Sequence, residues 1–163
     1  MDENIGAAYY GMGNVLFSQD KFQEAVESFQ RAVNTGLNEG DVFYMLGFSY
    51  YQLGDLRRAL PSLQRAYELN EGDVEAAFQF ALTLAQLEEI DEAIPVLERV
   101  IQLDEGHADA CFNLGVAYSY KNRFREAIEM FDRSIEIQPD HLLSLNGKKQ
   151  VEALLKEEKE ERK

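Results

Sequence analysis

The sequence predicts an all-α fold of stacked helix pairs, and three observations support this prediction. A small residue recurs at one constant interval, an alanine follows each one twelve positions later, and an apolar residue stands four positions beyond each alanine. The three sets are Gly13, Gly47, Ala81 and Gly115; Ala25, Ala59, Ala93 and Ala127; and Phe29, Leu63, Leu97 and Phe131. A fixed period of this length is typical of arrays in which each unit buries its apolar face against its neighbours.

The period divides the chain into four units, each with two helical stretches. The units are 6–39, 40–73, 74–107 and 108–141. The first stretch, helix A, has apolar or small residues at unit positions 4, 7, 8 and 11, and helix B has them at positions 17, 20, 21, 24, 27 and 28. Both patterns follow one face of an α-helix. The small residue at position 8 and the alanine at position 20 predict close contact between the two helices.

The ends of the predicted helices carry the residues expected there. Asp55 follows Gly54 and is a good N-cap for the second helix B. Residues 70–73 and 138–140 supply the turns that close the second and fourth units. After the fourth unit, residues 142–163 predict a capping helix that runs into a charged tail. We therefore expect residues 1–163 to form a single repeat domain.

These residues resemble the tetratricopeptide repeat (TPR). The fourth unit matches the repeat pattern at Leu114, Gly115, Tyr118, Ala127, Phe131 and Pro139, and the third unit departs most, with Ala81, Leu84 and Val100. The resemblance implies a right-handed superhelical solenoid of antiparallel helix pairs. It also implies that helix A of each pair lines a concave groove, in which family members commonly hold a peptide or a helix of a partner.

The side of helix A that faces away from its packing positions is apolar where a solvated face would be polar. Position 5 is aromatic in every unit, and positions 9 and 12 add further apolar residues. The residues at positions 5, 9 and 12 include Tyr10, Tyr44, Phe78 and Phe112; Asn14, Phe48, Leu82 and Val116; and Phe17 and Tyr51. Position 5 is open to two interpretations, a groove floor or packing against a neighbouring unit. We expect the set Phe17, Phe48, Tyr51 and Leu82 to form an apolar peptide-binding floor.

The predicted groove has an acidic edge, because position 2 carries Asp41, Glu75 and Asp109. Carboxylates in the first turn of a helix also complement its dipole, so this position has a structural interpretation as well. The net charge of −14 disfavours nucleic acid and anionic membrane surfaces as partners. It favours a protein or peptide partner that combines apolar anchors with basic residues.

The sequence shows no catalytic constellation, metal site or cofactor motif. His107 and His141 share unit position 34 and are interpreted as structural, Cys111 as a buried small side chain, and Gly11 and Gly13 as packing residues within a helix. A single cysteine excludes an internal disulfide and fits a cytoplasmic location. We therefore expect a non-enzymatic protein–protein interaction module. The alternative is a self-assembling scaffold, or homo-oligomer, that associates through its repeat ends or its groove.

Overall fold

A computed structural model describes residues 3–163, and this part of the chain contains nine α-helices and no β-strand. The predicted all-α fold is therefore confirmed for these residues. The helices are α1 (Glu3–Ser18), α2 (Phe22–Asn34), α3 (Gly40–Gln52), α4 (Leu56–Leu69), α5 (Val74–Gln86), α6 (Ile90–Leu103), α7 (Ala108–Tyr120), α8 (Phe124–Ile137) and α9 (Leu142–Glu161).

The helices begin in the register that the period predicts. The even-numbered helices α2, α4, α6 and α8 start exactly one repeat apart, and so do α3, α5, α7 and α9. The starts of α3, α5 and α7 coincide with the predicted starts of the second, third and fourth units. α1 extends further towards the N-terminus than its predicted unit, because its described part begins at Glu3 and not at Gly6.

The helices form two compact units. One contains α1–α5 and ends at Leu87, and the other contains α6–α9 and begins at Glu88. In the first unit α1 packs against α2 and α3 against α4, and α2 and α4 each also pack against the helix that follows them. The buried side chains between these helices include Ala25, Phe29 and Leu63.

A glycine in helix A lets the two helices of a pair approach closely. A Cβ atom on Gly13 would lie 2.5 Å from Cε1 of Phe29, and a Cβ atom on Gly47 would lie 2.6 Å from Cγ of Leu63. Both distances are shorter than van der Waals contact, so a larger residue would have to displace a fully buried side chain. The packing role of position 8 is confirmed at these two glycines, and the side chain that each accommodates stands at position 24.

In the second unit α6 packs against α7, α7 against α8, and α8 against α9. The buried ring of Phe131, on α8, lies between two glycines of neighbouring helices. A Cβ atom on Gly115 of α7 would lie 2.7 Å from this ring, and a Cβ atom on Gly147 of α9 would lie 2.8 Å from it. α9 therefore packs closely on α8 even though the next residue, Lys148, is charged; its ammonium group is directed to Asp132, 2.6 Å away.

His141 begins α9 and ties it to α7. Its Nδ1 accepts a hydrogen bond from the Ser144 amide at 3.2 Å, so Nε2 carries the proton and donates to Oδ1 of Asp109 at 2.8 Å. Next to this cap, the Ser144 hydroxyl donates to the buried Ser134 hydroxyl at 2.7 Å. The structural interpretation of His141 is confirmed, and His107 acts in the same way because its Nδ1 accepts from the amide of Ala110 at 3.0 Å.

The turn between helix A and helix B has the same backbone conformation in each repeat. The residue at unit position 15 has a φ between +59° and +77° in all four repeats. These residues are Asp20, Gly54, Glu88 and Asn122. The predicted N-cap follows this turn in the second repeat, where a carboxylate oxygen of Asp55 accepts the Arg58 amide at 3.2 Å.

Candidate functional site

Four aromatic side chains form a contiguous surface on α1 and α3 of the first unit, here called the aromatic face: Phe17, Tyr44, Phe48 and Tyr51. Phe48 lies at its centre, with ring centroids 5.3 Å from Phe17, 5.6 Å from Tyr44 and 6.3 Å from Tyr51. All four rings are half-buried. Each ring therefore keeps part of its apolar surface exposed while its neighbours hold it in place.

Two residues that the sequence analysis did not include complete this surface. Phe22, the first residue of α2, packs edge-on against Phe17 with a centroid distance of 5.1 Å. Gln86, at the end of α5, donates from Nε2 to the Tyr51 hydroxyl at 2.6 Å. Phe22 belongs to the predicted packing positions of helix B, and only its contact with Phe17 shows that it borders the aromatic face.

The electrostatic environment at one end of the aromatic face is acidic. Burial raises the pKa of Tyr44 to about 12, and the negative charges of Glu75 and Asp73 act in the same direction. Glu75 and Asp41 are both exposed. A phenol whose ionisation is opposed by nearby carboxylates lies in a negative potential, and such a potential attracts a positively charged group.

Two of the position 5 aromatics, Tyr10 and Phe112, pack against residues of their own repeat. Tyr10 lies 5.9 Å from Phe29, and Phe112 lies 5.9 Å from Phe131 and 5.4 Å from His141, measured between ring centroids. They are nonetheless half-buried, as is Phe78. One side of each of these two rings therefore packs against the core, and another side stays partly exposed. Phe48, in contrast, contacts three rings of the aromatic face.

Four further predicted site residues are divided equally between the two units. Asn14 and Leu82 are half-buried side chains of the first unit. In the second unit Val116 is 41% exposed, and Asp109 accepts the hydrogen bond from His141 described above. Asp109 thus has a structural contact that the sequence pattern did not indicate, although its side chain remains 65% exposed.

Within residues 3–163, no cluster of three or more histidine, cysteine, aspartate or glutamate side chains has the arrangement of a metal site. Burial raises the pKa of the Cys111 thiol, and the charge of Arg133 lowers it by a smaller amount. The described helices also include none that combines the length and apolar character of a membrane-spanning segment.

The comparison with known structures decides the family. A crystal structure of YrrB, described as a TPR protein with an unusual peptide-binding site, is 47% identical to the chain and superposes with a TM-score of 0.85. The match covers 91% of this chain and 76% of YrrB. The chain belongs to the tetratricopeptide repeat family. Residues 108–141 match the family model of the tetratricopeptide repeat, and residues 18–100 match that of anaphase-promoting complex, cyclosome, subunit 3.

More distant TPR structures agree on the fold. A crystal structure of MamA is 23% identical, with a TM-score of 0.86 over 90% of this chain and 80% of MamA. The structure MamA AMB-1 is also 23% identical, with a TM-score of 0.85 over 98% of this chain and 87% of the other. No curated protein matches the chain. The predicted fold class, an all-α TPR solenoid of antiparallel helix pairs, is confirmed, and its fold is that of a protein-interaction module.

Proposed function

We propose that the chain binds a peptide, or a helical segment of a partner protein, on the aromatic face. The observation that carries this proposal is the contiguous row of half-buried rings centred on Phe48. The similarity to YrrB, a TPR protein with a peptide-binding site, supports it. The proposed contact residues of the first unit are Tyr10, Asn14, Phe17, Tyr44, Phe48, Tyr51, Phe78 and Leu82, with Asp41 and Glu75 at the acidic edge.

The ligand is an extended or helical segment with apolar side chains that cover the rings. Aromatic rings held by their neighbours offer a large contact area and lose little conformational freedom on binding. The carboxylate of Glu75 lies close enough to Tyr44 to raise the pKa of that residue. A lysine or arginine of the ligand that reaches Tyr44 gains both this charge and the face of the ring.

The second unit carries the repeat equivalents of three of these residues. Phe112 and Val116 stand at the repeat positions of Tyr44 and Phe48, and Asp109 stands at the position of Glu75. We propose these three residues as additional contacts for a ligand with an apolar side chain and a neighbouring basic one. The proposed activity is binding and not catalysis. The proposed compartment is the reducing cytoplasm, because such a compartment suits a single buried thiol.

Selection from a random dodecapeptide library displayed on phage tests this proposal. We expect the selected peptides to combine aromatic or aliphatic residues with lysine or arginine. Phe48→Ala should weaken the binding of a selected synthetic peptide by about 1–3 kcal/mol, roughly 5- to 150-fold in Kd.

Leu69→Ala is the matched control, because Leu69 is also a partly exposed apolar residue of the first unit but lies at the end of α4. This control should bind with wild-type affinity, and circular dichroism should show both variants folded. If selected peptides bind Phe48→Ala and the wild type equally well, the aromatic face is not the binding site.

Self-assembly is a second candidate, and one specific observation favours it. The outward side of α1 exposes Ile5, Met12 and Val15 to solvent, each by half or more. These side chains lie on the opposite side of α1 from Asn14 and Phe17. Association through α1 and peptide binding on the aromatic face are therefore independent.

A further inference from the structure

An apolar stripe runs along the outward side of α1. Its four residues, Ile5, Ala8, Met12 and Val15, are called the outer stripe here. Ile5 is 50% exposed, Met12 54% and Val15 56%, and Ala8 is also exposed. Together with Asn4 and Tyr9, three of these side chains line an open apolar cavity of about 330 Å³. Exposed apolar side chains that cluster in this way are typical of an interaction surface.

Residues at the same repeat positions as the outer stripe are buried in the other A helices of the first unit, α3 and α5. In the next repeat, the positions of Ala8, Met12 and Val15 are occupied by Val42, Leu46 and Ser49 of α3. These side chains are at most 3% exposed. In the repeat after that, the same positions are occupied by Ala76, Phe80 and Thr83 of α5. These side chains are at most 6% exposed. α3 packs on α2, and α5 packs on α4. The outer stripe is thus a helix-packing surface that no helix of residues 3–163 covers.

The charge of the protein limits what can cover this surface. At a net charge of −14, two copies of the chain repel each other over most of their surface. α1 is an exception, since the segment from Asn4 to Ser18 contains no charged residue. A second copy can therefore approach along α1 without bringing like charges together.

The spacing of the outer stripe suits pairing between two helices. Its residues follow one another at intervals of three, four and three positions, with Ile5 and Met12 seven apart and Ala8 and Val15 seven apart. This is the a and d pattern of a coiled-coil seam. We propose that two copies of the chain form a two-fold symmetric dimer by packing the outer stripes of their α1 helices against each other in antiparallel orientation.

The outer stripe is complementary to itself in this orientation. With the two-fold axis at the level of Tyr10, Ile5 faces Val15 of the other copy and Ala8 faces Met12 of the other copy. The small alanine makes room for the long methionine side chain, and the two β-branched residues meet at each end. A symmetric interface of this kind buries the same surface on both copies and closes after two chains.

Gly11 provides an independent observation. It lies in the middle of α1, it is exposed, and a Cβ atom placed on it would meet no atom within 4 Å. Glycine at such a position destabilises a helix by about 0.5–1 kcal/mol relative to alanine, and no contact within the described chain requires it. In the antiparallel pair, Gly11 and Ala8 of both copies lie on the same side of the seam near the axis. Their small size lets the two backbones approach closely there.

This dimer deepens the second candidate function, self-assembly, and does not depend on peptide binding. Sedimentation velocity over chain concentrations from 5 µM to 1 mM measures it. We expect the wild type to shift with concentration from 18.6 kDa, the mass of one chain, to twice that mass. Met12→Glu places two carboxylates within the apolar seam and should remain one chain at every concentration.

Leu143→Glu is the control for the added charge, since Leu143 is 62% exposed on α9 of the second unit. It should dimerise like the wild type. A wild type that stays at the mass of one chain overturns both self-assembly and this dimer. A dimer that Met12→Glu does not dissociate, or an assembly larger than two chains, overturns the proposed pairing while leaving self-assembly in place.

Oxidative cross-linking tests the orientation. Gly11→Cys places a thiol beside the axis, where two copies should form a disulfide. In Ile5→Cys the two thiols would be about 15 Å apart in the antiparallel pair but adjacent in a parallel one. The wild type, whose single cysteine is the buried Cys111, shows the background. Cross-linking of Ile5→Cys in preference to Gly11→Cys would overturn the antiparallel arrangement.

Discussion

At the residue scale, identical amino acids in α1 have different roles. Gly13 touches the ring of Phe29 so closely that no side chain fits, whereas Gly11, two residues earlier, faces open space. The sequence pattern predicts packing for both glycines, which is correct for Gly13, whereas Gly11 makes no packing contact within the described chain. The repeat period distinguishes them in retrospect, because Gly47 and Gly115 repeat Gly13, while Met45 and Asn113 stand at the position of Gly11.

We predict opposite effects of alanine at two of these glycines. Gly115→Ala should destabilise the protein by about 1–3 kcal/mol, because the new methyl group collides with Phe131, which Gly147 contacts from α9. Gly11→Ala should stabilise it by up to about 1 kcal/mol, through helix propensity alone. Urea unfolding at low micromolar chain concentration measures both changes. Equal stability of the two variants would contradict the packing described for Gly115.

Differences between single residues also limit how much of the candidate site can be predicted from the sequence. The pattern of helix A identified Tyr10, Phe48 and Phe112 as equally good candidates. The structure distinguishes these residues by their contacts. Tyr10 and Phe112 pack against core phenylalanines, whereas Phe48 contacts the rings of the aromatic face. A period fixes which residues share a repeat position, but the side chains that meet there differ from one repeat to the next.

At the scale of single elements, α9 shows how a helix is attached to the helices before it. The His141 ring accepts a backbone amide of α9 with one nitrogen and donates to Asp109 of α7 with the other. The His141 ring is 7% exposed and is shielded from water, whereas the Asp109 carboxylate that it contacts remains largely exposed. One side chain therefore both begins the helix and fixes it to α7.

Removing this side chain should loosen α9. His141→Ala loses an N-cap, which is worth about 0.5–2 kcal/mol, and the contact with Asp109. Hydrogen exchange should then be faster at the α9 amides, for example at buried Val151, by roughly 2- to 30-fold. His141→Asn should restore part of the protection, because asparagine also caps helices.

Asp140→Ala is the control for this prediction, because Asp140 is exposed and precedes the cap. It should exchange like the wild type. Unchanged protection of α9 in His141→Ala would mean that packing around Phe131 holds this helix without its cap.

Element boundaries were the part of the fold that sequence predicted best. Three of the four predicted unit starts are helix starts, because the first turn of each of these helices follows a recognisable change from turn residues to an apolar period. The predicted first unit begins at Gly6, which is not the first residue of a helix. Glycine there looks like a helix boundary, but it lies inside α1 beside Thr35, where a Cβ atom would have only 2.5 Å.

At the scale of the whole molecule, charge is the property most directly tied to partner choice. The chain carries 30 acidic and 16 basic residues, and Glu75 and Asp73 place part of this charge near the aromatic face. Long-range attraction between such a surface and a basic ligand accelerates association, and salt screens it.

We therefore expect binding of a selected lysine- or arginine-containing peptide to depend on salt. Raising sodium chloride from 50 to 500 mM should weaken its affinity by about 10-fold, mainly through slower association. Stopped-flow measurement of the association rate tests this expectation. A version of the peptide with glutamine at each basic position is the control, and it should show little change. A basic peptide with a salt-independent rate would exclude a role for the acidic edge.

The turn between the helices of each pair has a consequence for how this protein arose. Aspartate, glycine, glutamate and asparagine all adopt one left-handed backbone conformation at that point, although only glycine does so without steric cost. Four different residue types therefore form this bend in the four repeats. Because each repeat contains its own bend between helix A and helix B, a gene segment that encodes one repeat can be duplicated or deleted without disturbing the bends of the other repeats.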